Sequence, residues 1–528
     1  MSLFWIILLL LFFPFILHFL FLKKSLFASD EALHILFIDQ IKKNKHKFIK
    51  HCNAFLIQSK MTYPQLIHWM FSFFSKSWIN KISRFTPMIF SIGSLLFFFF
   101  FALKSYYCFS DLNISKEEFL VLAGLLFVTT PFNYNINNAK NGGISARGFG
   151  LMLGQIYTYG LVLYILLGSG HYLFVSGAVA LLILMSSQFA AQYILFSTIL
   201  LMPFYSSLVI IIPLISSLVL FFLIMPQIAW QFFSGNLGHK KFYYKYLAKS
   251  FILAYRASIW KDVFYEIWRL IFTKSKPKGG GTLFMYIYTN PIVILLFSLP
   301  LTLPIFFYFL YKIIQAGALQ DDLIMILNVP IIVSLILFIF FSFNKTRFLG
   351  EPERYAEFTL GFMAVIITFL LRNHLYVLHT IILFQILFVL FQAYISRLRF
   401  KVKTKNIYQG LLHINTKINQ NNSKDENIRI LSNNTEIMRM LTDSERQVFY
   451  GSLYSEWYGK FHYTELYINY LELKGNMILP VIEEFKINYF VLDINRLPIS
   501  QFNAIINSTS IRFRQIAEVD NLVAYKIC

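Results

Sequence analysis

The chain has 528 residues, of which 57% are hydrophobic and 14% are charged, and its mean hydropathy is +0.59. These values exclude an ordinary soluble protein, and repeated apolar runs of about 18 residues or more indicate a polytopic helical membrane protein. The formal net charge of +21 lies mainly between those runs, so it indicates anionic lipid or a phosphate-bearing ligand and not nucleic acid.

The first apolar run, at about 2–22, is interpreted as an uncleaved transmembrane helix. It lacks the basic segment that precedes the core of a signal peptide, and it is long for such a core. A polar loop follows at about 23–85 and opens with the adjacent carboxylates Asp30 and Glu31. An amphipathic helix is predicted over 30–44. Its apolar face would contain Leu33, Leu36, Phe37 and Ile41.

Later in the same loop, the segment 63–69 (Tyr-Pro-Gln-Leu-Ile-His-Trp) predicts a helix at the membrane interface, with Pro64 near its first turn. His68 is interpreted first as a packing or hydrogen-bonding residue. It is also kept among the candidate donor-binding residues.

About eleven transmembrane helices are predicted in total. After the first, they lie at about 86–103, 118–134, 148–168, 172–204 (two short helices that meet at 186–188), 207–229, 291–313, 323–343, 357–371 and 375–395. Between the spans, the loop at 230–290 is strongly basic and aromatic.

From Ser396 the composition becomes polar. Strands are predicted at 428–431, 489–492 and 522–527, and helices at 435–450 and 479–486. The fold class is therefore an α-helical membrane domain, residues 1–395, followed by a small soluble α/β domain, residues 396–528.

Eleven spans would place the loops at 23–85, 135–147, 230–290 and 344–356, and the C-terminal tail, on one side of the membrane. The positive-inside rule would make that side cytoplasmic, but the rule weakens for long loops. Charge alone therefore leaves the orientation open.

Three polar clusters are candidate sites. Asp30 and Glu31 could supply a general base at the membrane edge, or they could be the acidic first turn of a helix capped by Ser29.

The second cluster lies in the loop near 350. Arginine side chains there could bind a phosphate, and the tyrosine could stack on a sugar ring. The alternative is a loop that salt bridges hold together. That cluster comprises Arg347, Glu351, Glu353, Arg354 and Tyr355. The third cluster, 138–147, ends in Arg147, which could equally be a snorkelling anchor.

The sequence holds no tight His/Cys set for a metal. A hard divalent ion such as Mg²⁺ or Mn²⁺, held by Asp30, Glu31 and Glu351, is left open as a cofactor.

An apolar first span, a first loop that opens with Asp30-Glu31, the Tyr63-to-His68 segment, the late Glu-Pro-Glu-Arg-Tyr loop and a C-terminal α/β domain together resemble the GT-C superfamily of membrane glycosyltransferases. That superfamily includes protein O-mannosyltransferases, the aminoarabinose transferase of lipid A and oligosaccharyltransferase catalytic subunits. The second acidic motif of its metal-dependent members and the tryptophan-rich signature of oligosaccharyltransferases are not evident here. The resemblance therefore favours a metal-independent monosaccharide transferase.

The resemblance implies transfer of a sugar from a polyprenyl-phosphate carrier to a lipid, glycan or protein acceptor. Asp30 would be the general base beside Glu31, and Arg354, Arg347 and Arg147 would hold the lipid phosphate. The basic loop 230–290 would cover the carrier or the acceptor. The protein would be multi-pass in a bacterial inner or plasma membrane, with its site and C-terminal domain extracytoplasmic.

Two other interpretations stay open. A transporter or flippase of a lipid-linked glycan would also have many spans and basic loops, but transporters more often place ionisable residues within the spans. An O-antigen polymerase or ligase-like enzyme would also use polyprenyl-diphosphate substrates.

Overall fold

The computed structural model describes residues 10–16, 29–57, 61–109, 113–134, 143–242, 244, 295, 305, 311, 323–343, 346–350, 352–422, 427–441, 446–449, 467–469, 472–507 and 511–528. Most of the predicted spans at 2–22 and 291–313, and most of the basic loop 230–290, lie outside these residues.

The membrane domain is a bundle of apolar helices that share two large hydrophobic cores. Its helices are α4 (Thr86–Cys108), α5 (Lys116–Thr129), α6 (Ala146–Leu167), α7 (His171–Ser186), α8 (Gln188–Tyr205), α9 (Ile212–Ile224), α10 (Pro226–Phe242), α11 (Leu323–Ser342), α12 (Glu353–Ala356), α13 (Leu360–Leu370) and α14 (Leu375–Asn421). In the described part of the chain, five helices are long and apolar enough to cross a membrane, or six if one bent pair is a single span. The chain is therefore an integral membrane protein, although the predicted count of eleven spans is not confirmed.

Two interruptions of the apolar runs shape the bundle. The predicted break in 172–204 is confirmed, because α7 ends at Ser186 and α8 begins at Gln188. The predicted span over 207–229 contains a second interruption. The helical segment Leu208–Ile224 bends by 120° into Pro226–Gly238, because Pro226 has no N–H with which to continue the preceding helix.

Helix α6 packs closely against its neighbours because glycine recurs along it. A side chain at Gly150 would overlap Ser187, and one at Gly154 would overlap the ring of Phe358. That ring stacks on Tyr193 of α8, with centroids 3.8 Å apart and planes 7° from parallel. Small residues therefore let three segments of the bundle approach one another.

The first loop folds as three helices that precede α4. They are α1 (Ser29–Lys43), α2 (Leu66–Ser72) and α3 (Lys76–Ile82). The predicted amphipathic helix is confirmed as α1, and its predicted apolar face is buried. Gln65 holds the loop before α2, since its amide accepts from the N–H of Ile49 and donates to the carbonyl of Ile49, both at 2.8 Å. Helix α3 was not predicted.

The C-terminal residues form a mixed sheet in the order β2-β1-β5-β7-β6. Its strands are β1 (Ile428–Ser432), β2 (Arg446–Val448), β5 (Tyr489–Asp493), β6 (Phe513–Val519) and β7 (Leu522–Ile527), and a separate two-stranded sheet pairs β3 (Tyr467–Asn469) with β4 (Glu472–Leu473). The helices are α15 (Thr435–Leu441), α16 (Ile478–Phe485) and α17 (Ile499–Asn507). The three predicted strands are confirmed as β1, β5 and β7. The predicted helix 435–450 is shorter, because α15 ends at Leu441 and β2 follows.

Two connections join the C-terminal sheet to the rest of the protein. Helix α14 runs without interruption from the membrane domain to Asn421, so the predicted boundary at Ser396 falls inside it. Residues of the first loop extend the sheet edge, since the N–H of Leu56 donates to Val448 at 2.9 Å and Val448 donates to Ala54 at 3.0 Å. The first loop and the C-terminal domain share one hydrophobic core.

Replacing Gly154 by alanine tests the close packing of α6. The added methyl group would overlap Phe358, and overpacking of this kind costs about 1–3 kcal/mol, more than the gain in helix propensity. We expect Gly154→Ala to lower the midpoint of thermal unfolding in detergent. Gly170→Ala is the matched control, because a methyl group there meets nothing within 4 Å. Equal midpoints for the two variants would contradict this packing.

Candidate active site

Two of the predicted arginines, Arg147 and Arg354, line one small cavity. They are 207 positions apart in the sequence, and α6 and α12 bring them together. Arg354 is buried, with 9% of its surface exposed, and Arg147 is half-buried. Glu357 also lines the cavity. We call this the arginine cavity. Its remaining walls are Leu151, Ser187, Phe189, Ala190 and Phe358.

Arg147 lies in the first turn of α6. The hydroxyl of Ser145 caps this helix by accepting from the N–H of Arg147 at 3.1 Å. A cation in a first turn is opposed by the helix dipole. Arg147 therefore adds its charge to the positive end of α6.

A second helix begins at the same cavity. Ser187 and Ala190 line it, and they belong to the N-terminal cap and first turn of α8. Free backbone N–H groups and the positive end of the dipole make a helix N-terminus a binding site for anions. The break between α7 and α8 therefore adds positive potential where the two arginines meet.

Residues around Arg354 are fixed by polar contacts. Tyr355 is fully buried against Phe341 and Phe189 and accepts a hydrogen bond from Gln192. Lys240 donates to the carbonyl of Leu349 at 3.0 Å. Burial lowers the pKa of Lys240 to about 7. The C-terminal end of α10 and the loop near 350 are thus in contact.

Glu31 lies against the segment that leads into α6. Its side chain is 6% exposed, and a Cβ at residue 143 would overlap its carboxylate. Gly143 also has φ +96°, which favours glycine. The buried carboxylate is consequently packed on the backbone four residues before Arg147. It links the first loop to the arginine cavity.

His68 does not line the arginine cavity. It is fully buried and pairs with His34, one turn after Glu31 on α1, with His34 Nδ1 and His68 Nε2 at 2.8 Å. The two rings stack with centroids 5.0 Å apart, and Tyr63 packs edge-on to both. Burial, and secondarily the neighbouring His34, hold the pKa of His68 well below its usual value of 6.5. This pair fixes α1 to α2 beneath Glu31.

The other predicted residues divide into two groups. The side chains of Asp30, Arg347 and Glu351 lie outside the described part of the structure, so their roles stay predictions. Glu353 is buried on α12. Within the described residues, no group of three or more His, Cys, Asp or Glu side chains could hold a metal ion, and the proposed set of Asp30, Glu31 and Glu351 is only partly described.

Sequence reasoning missed several residues around the site. Glu357 was the first residue of a predicted span, and an acid in that position was itself a signal of function. Ser187 was noted only as part of a helix break. The pairing of His34 with His68 joins positions 34 residues apart, and no local pattern in the sequence indicates it.

A pH series tests the buried histidine pair. The folded state binds fewer protons at His68 than the unfolded state, so stability is present above about pH 6.5 and is lost as the pH falls below it. We expect the unfolding midpoint to decrease from pH 7.5 to pH 5, and to decrease less in His68→Gln. His171→Gln, at an exposed residue, should leave the pH dependence unchanged. If the unfolding midpoint of His68→Gln falls with pH as steeply as that of the unsubstituted protein, the pairing is contradicted.

No protein-family model and no curated protein sequence matches this chain. Among solved structures, it is similar to ArnT from Cupriavidus metallidurans bound to undecaprenyl phosphate. The match has a TM-score of 0.55 and 9% sequence identity, and it covers 98% of this chain and 97% of that one. A similarity over nearly both whole chains includes the membrane helices, the first loop and the C-terminal sheet. The chain therefore has the same overall fold as ArnT, in agreement with the fold that the sequence resemblance predicted.

Proposed function

We propose that this protein is a membrane glycosyltransferase that moves a sugar from a polyprenyl-phosphate carrier to an acceptor hydroxyl or amine. The observation that carries the proposal is the arginine cavity, where Arg147, Arg354 and the N-terminus of α8 meet. An ArnT-like fold supports it, since that neighbour was solved with undecaprenyl phosphate.

The carrier phosphate would occupy the arginine cavity. Guanidinium groups bind phosphate oxygens through paired hydrogen bonds, and these strengthen when the groups are partly removed from water. Glu357 lies in the same wall and would orient the arginines between turnovers. As the bond from the anomeric carbon to the phosphate oxygen breaks, the leaving polyprenyl phosphate gains negative charge. The arginines would stabilise that charge.

The base would come from the acidic pair of the first loop. Asp30 is the leading candidate, with Glu31 beside it. Glu31 packs on the segment that leads to Arg147, and this supports a base placed next to the phosphate site. The base would take the proton of the acceptor as its oxygen or nitrogen attacks the anomeric carbon.

Localisation follows from the same proposal. The first loop contacts three parts of the protein. These are the C-terminal domain, the segment that leads into α6, and helix α10, where Gly235 packs on Thr62. These parts lie together, and we propose that their shared side is extracytoplasmic in a bacterial inner or plasma membrane.

Arginine substitutions test the phosphate site. Arg354→Ala should weaken binding of undecaprenyl phosphate by about 10- to 100-fold, because each charge-assisted hydrogen bond contributes about 1.5–3 kcal/mol. Arg354→Lys should recover only part of the loss, since it keeps the charge without the paired geometry. Arg372→Ala, at the C-terminal end of α13, is the control. Unchanged affinity in Arg354→Ala would remove the phosphate assignment.

Carboxylate substitutions test the base. Asp30→Asn should reduce transfer of sugar from a radiolabelled polyprenyl-phosphate donor by about 10²- to 10⁴-fold, while donor binding is retained. Glu31→Gln should have the smaller effect on transfer. Glu117→Gln changes an acid outside the site, on α5, and should have none. Full turnover in Asp30→Asn would show that Asp30 is not the base.

A further inference from the structure

The first loop forms a basic surface next to the start of α4. Residues 40–85 contain nine Lys or Arg residues and no Asp or Glu. The lysine side chains that the structure describes in this segment are all exposed, and they lie at the end of α1, between α1 and α2, and on α3. They are Lys42, Lys43, Lys45, Lys47, Lys50, Lys76 and Lys81. We call this surface the basic face. Concentrated charge of one sign attracts an anionic partner.

Exposed aromatic side chains lie among these lysines. Phe73, Phe74, Trp78 and Phe85 are each between 40% and 60% exposed. Helix α4 begins at the next residue, Thr86, and is long and apolar enough to cross a membrane. Aromatic rings concentrate where a span meets water, because one side of that boundary is apolar and the other is wet. The basic face therefore lies at the level of the lipid headgroups.

One lysine of α3 lies in line with the lipid-facing side of α4. Trp78, Lys81, Phe85 and Ile89 are all exposed and follow one another at intervals of three, four and four residues. That spacing repeats one face of a helix, and the backbone stays right-handed helical between α3 and α4. On α3, Ile79 is the buried residue. Lys81 therefore lies between two exposed aromatic rings where the span begins.

Contacts with the end of α2 fix the turn that follows α1. Lys42 Nζ donates to the carbonyl of Phe74 at 3.0 Å, and Phe74 directly precedes the N-cap of α3. The ring of His46 stacks on Phe73, with centroids 4.5 Å apart and planes 7° from parallel. Trp69 Nε1 donates to the carbonyl of His46 at 3.0 Å. The lysines of this turn are therefore held beside those of α3.

The backbone of the turn is unusual for lysine. Lys45 has φ 55° and His46 has φ 58°. Glycine or asparagine usually occupies the left-handed position after a helix, because a side chain there costs free energy. Lysine at this position adds a positive charge at the expense of conformational ease. A use for that charge explains why lysine is present.

We propose that the basic face binds the phosphate headgroups of anionic phospholipids of the surrounding membrane. Lys81 is the centre of the site, and Lys45 and Lys47 extend it. Lysine ammonium groups bind phosphate oxygens as point charges, and each lysine near an anionic membrane surface contributes about fivefold to affinity. Trp78 and Phe85 would lie against the lipid just below the headgroup. An acidic protein or a nucleic acid would match the charge but not the aromatic rings that continue into the lipid-facing side of α4.

This site is separate from the arginine cavity, which α6 and α12 form. It lies at the opposite end of α1 from Glu31. Bound lipid would hold that end of α1 and the start of α3 at the membrane surface. Through Ile79, which packs with Ile38 of α1 and with Ile144, it would also stabilise the segment that leads into α6.

Competition between two lipids tests the proposal. The full chain in detergent is incubated with equal amounts of phosphatidylglycerol and phosphatidylcholine that have the same acyl chains, and the retained lipids are counted by native mass spectrometry. We expect phosphatidylglycerol to be retained with at least fivefold preference. The preference should fall as salt is added, because the lysines are exposed. No preference for phosphatidylglycerol would overturn the proposal.

Variants locate the preference. Lys81→Gln should reduce it by about 3- to 5-fold, and Lys81→Arg should retain it, since arginine keeps the charge. Lys116→Gln is the matched control, because Lys116 begins α5 at the other end of α4 and pairs with Glu117. Equal losses in Lys81→Gln and Lys116→Gln would show a general effect of net charge and would overturn the site. Binding of an acidic protein or a nucleic acid through Lys81, with no lipid preference, would overturn it as well.

Replacing Lys45 by glycine separates lipid binding from folding. Glycine adopts φ 55° without a steric cost, so Lys45→Gly should leave the unfolding midpoint in lipid-free detergent unchanged or higher. The same substitution should reduce the preference for phosphatidylglycerol by about threefold. An unchanged preference would remove Lys45 from the site, and an unchanged preference in Lys81→Gln too would overturn the proposal.

Discussion

The arrangement of the site depends on one electrostatic constraint, which is the meeting of Arg147 and Arg354 with the start of α8 inside a membrane protein. Positive groups removed from water repel one another and need an anion. Glu357 is the acidic residue of the cavity wall. Guanidinium groups and a helix N-terminus both bind phosphate oxygens. Their meeting in one cavity makes it suited to a phosphate.

The site is formed where helices are interrupted. If residues 172–204 formed one continuous helix, no N-terminus would occur at Ser187. The glycines of α6 then let that terminus and Phe358 approach closely. In the segment that leads into α6, Gly143 allows the Glu31 carboxylate to pack on the backbone. Small residues and chain breaks, more than charge alone, bring distant polar groups together in an apolar bundle.

Apolar periodicity predicted much of the fold. It placed α1 with its buried face, the break at Ser187 and strands β1, β5 and β7, because each is a local pattern of burial. It did not predict the bend at Met225, which depends on the proline that follows, or β2, which pairs with β1 and with the first loop. Arg147 and Arg354 were candidates from their types, but their shared cavity could not be predicted, since 207 positions separate them. The His34–His68 pair gave no local signal for the same reason.

The central claim is that Arg147 and Arg354 form one phosphate site. Its most direct test is an experimental structure of the full chain with undecaprenyl phosphate in a lipid nanodisc. The account predicts phosphate density within hydrogen-bonding distance of both guanidinium groups and near the first turn of α8. Phosphate bound elsewhere, with both arginines still lining the cavity, would contradict it.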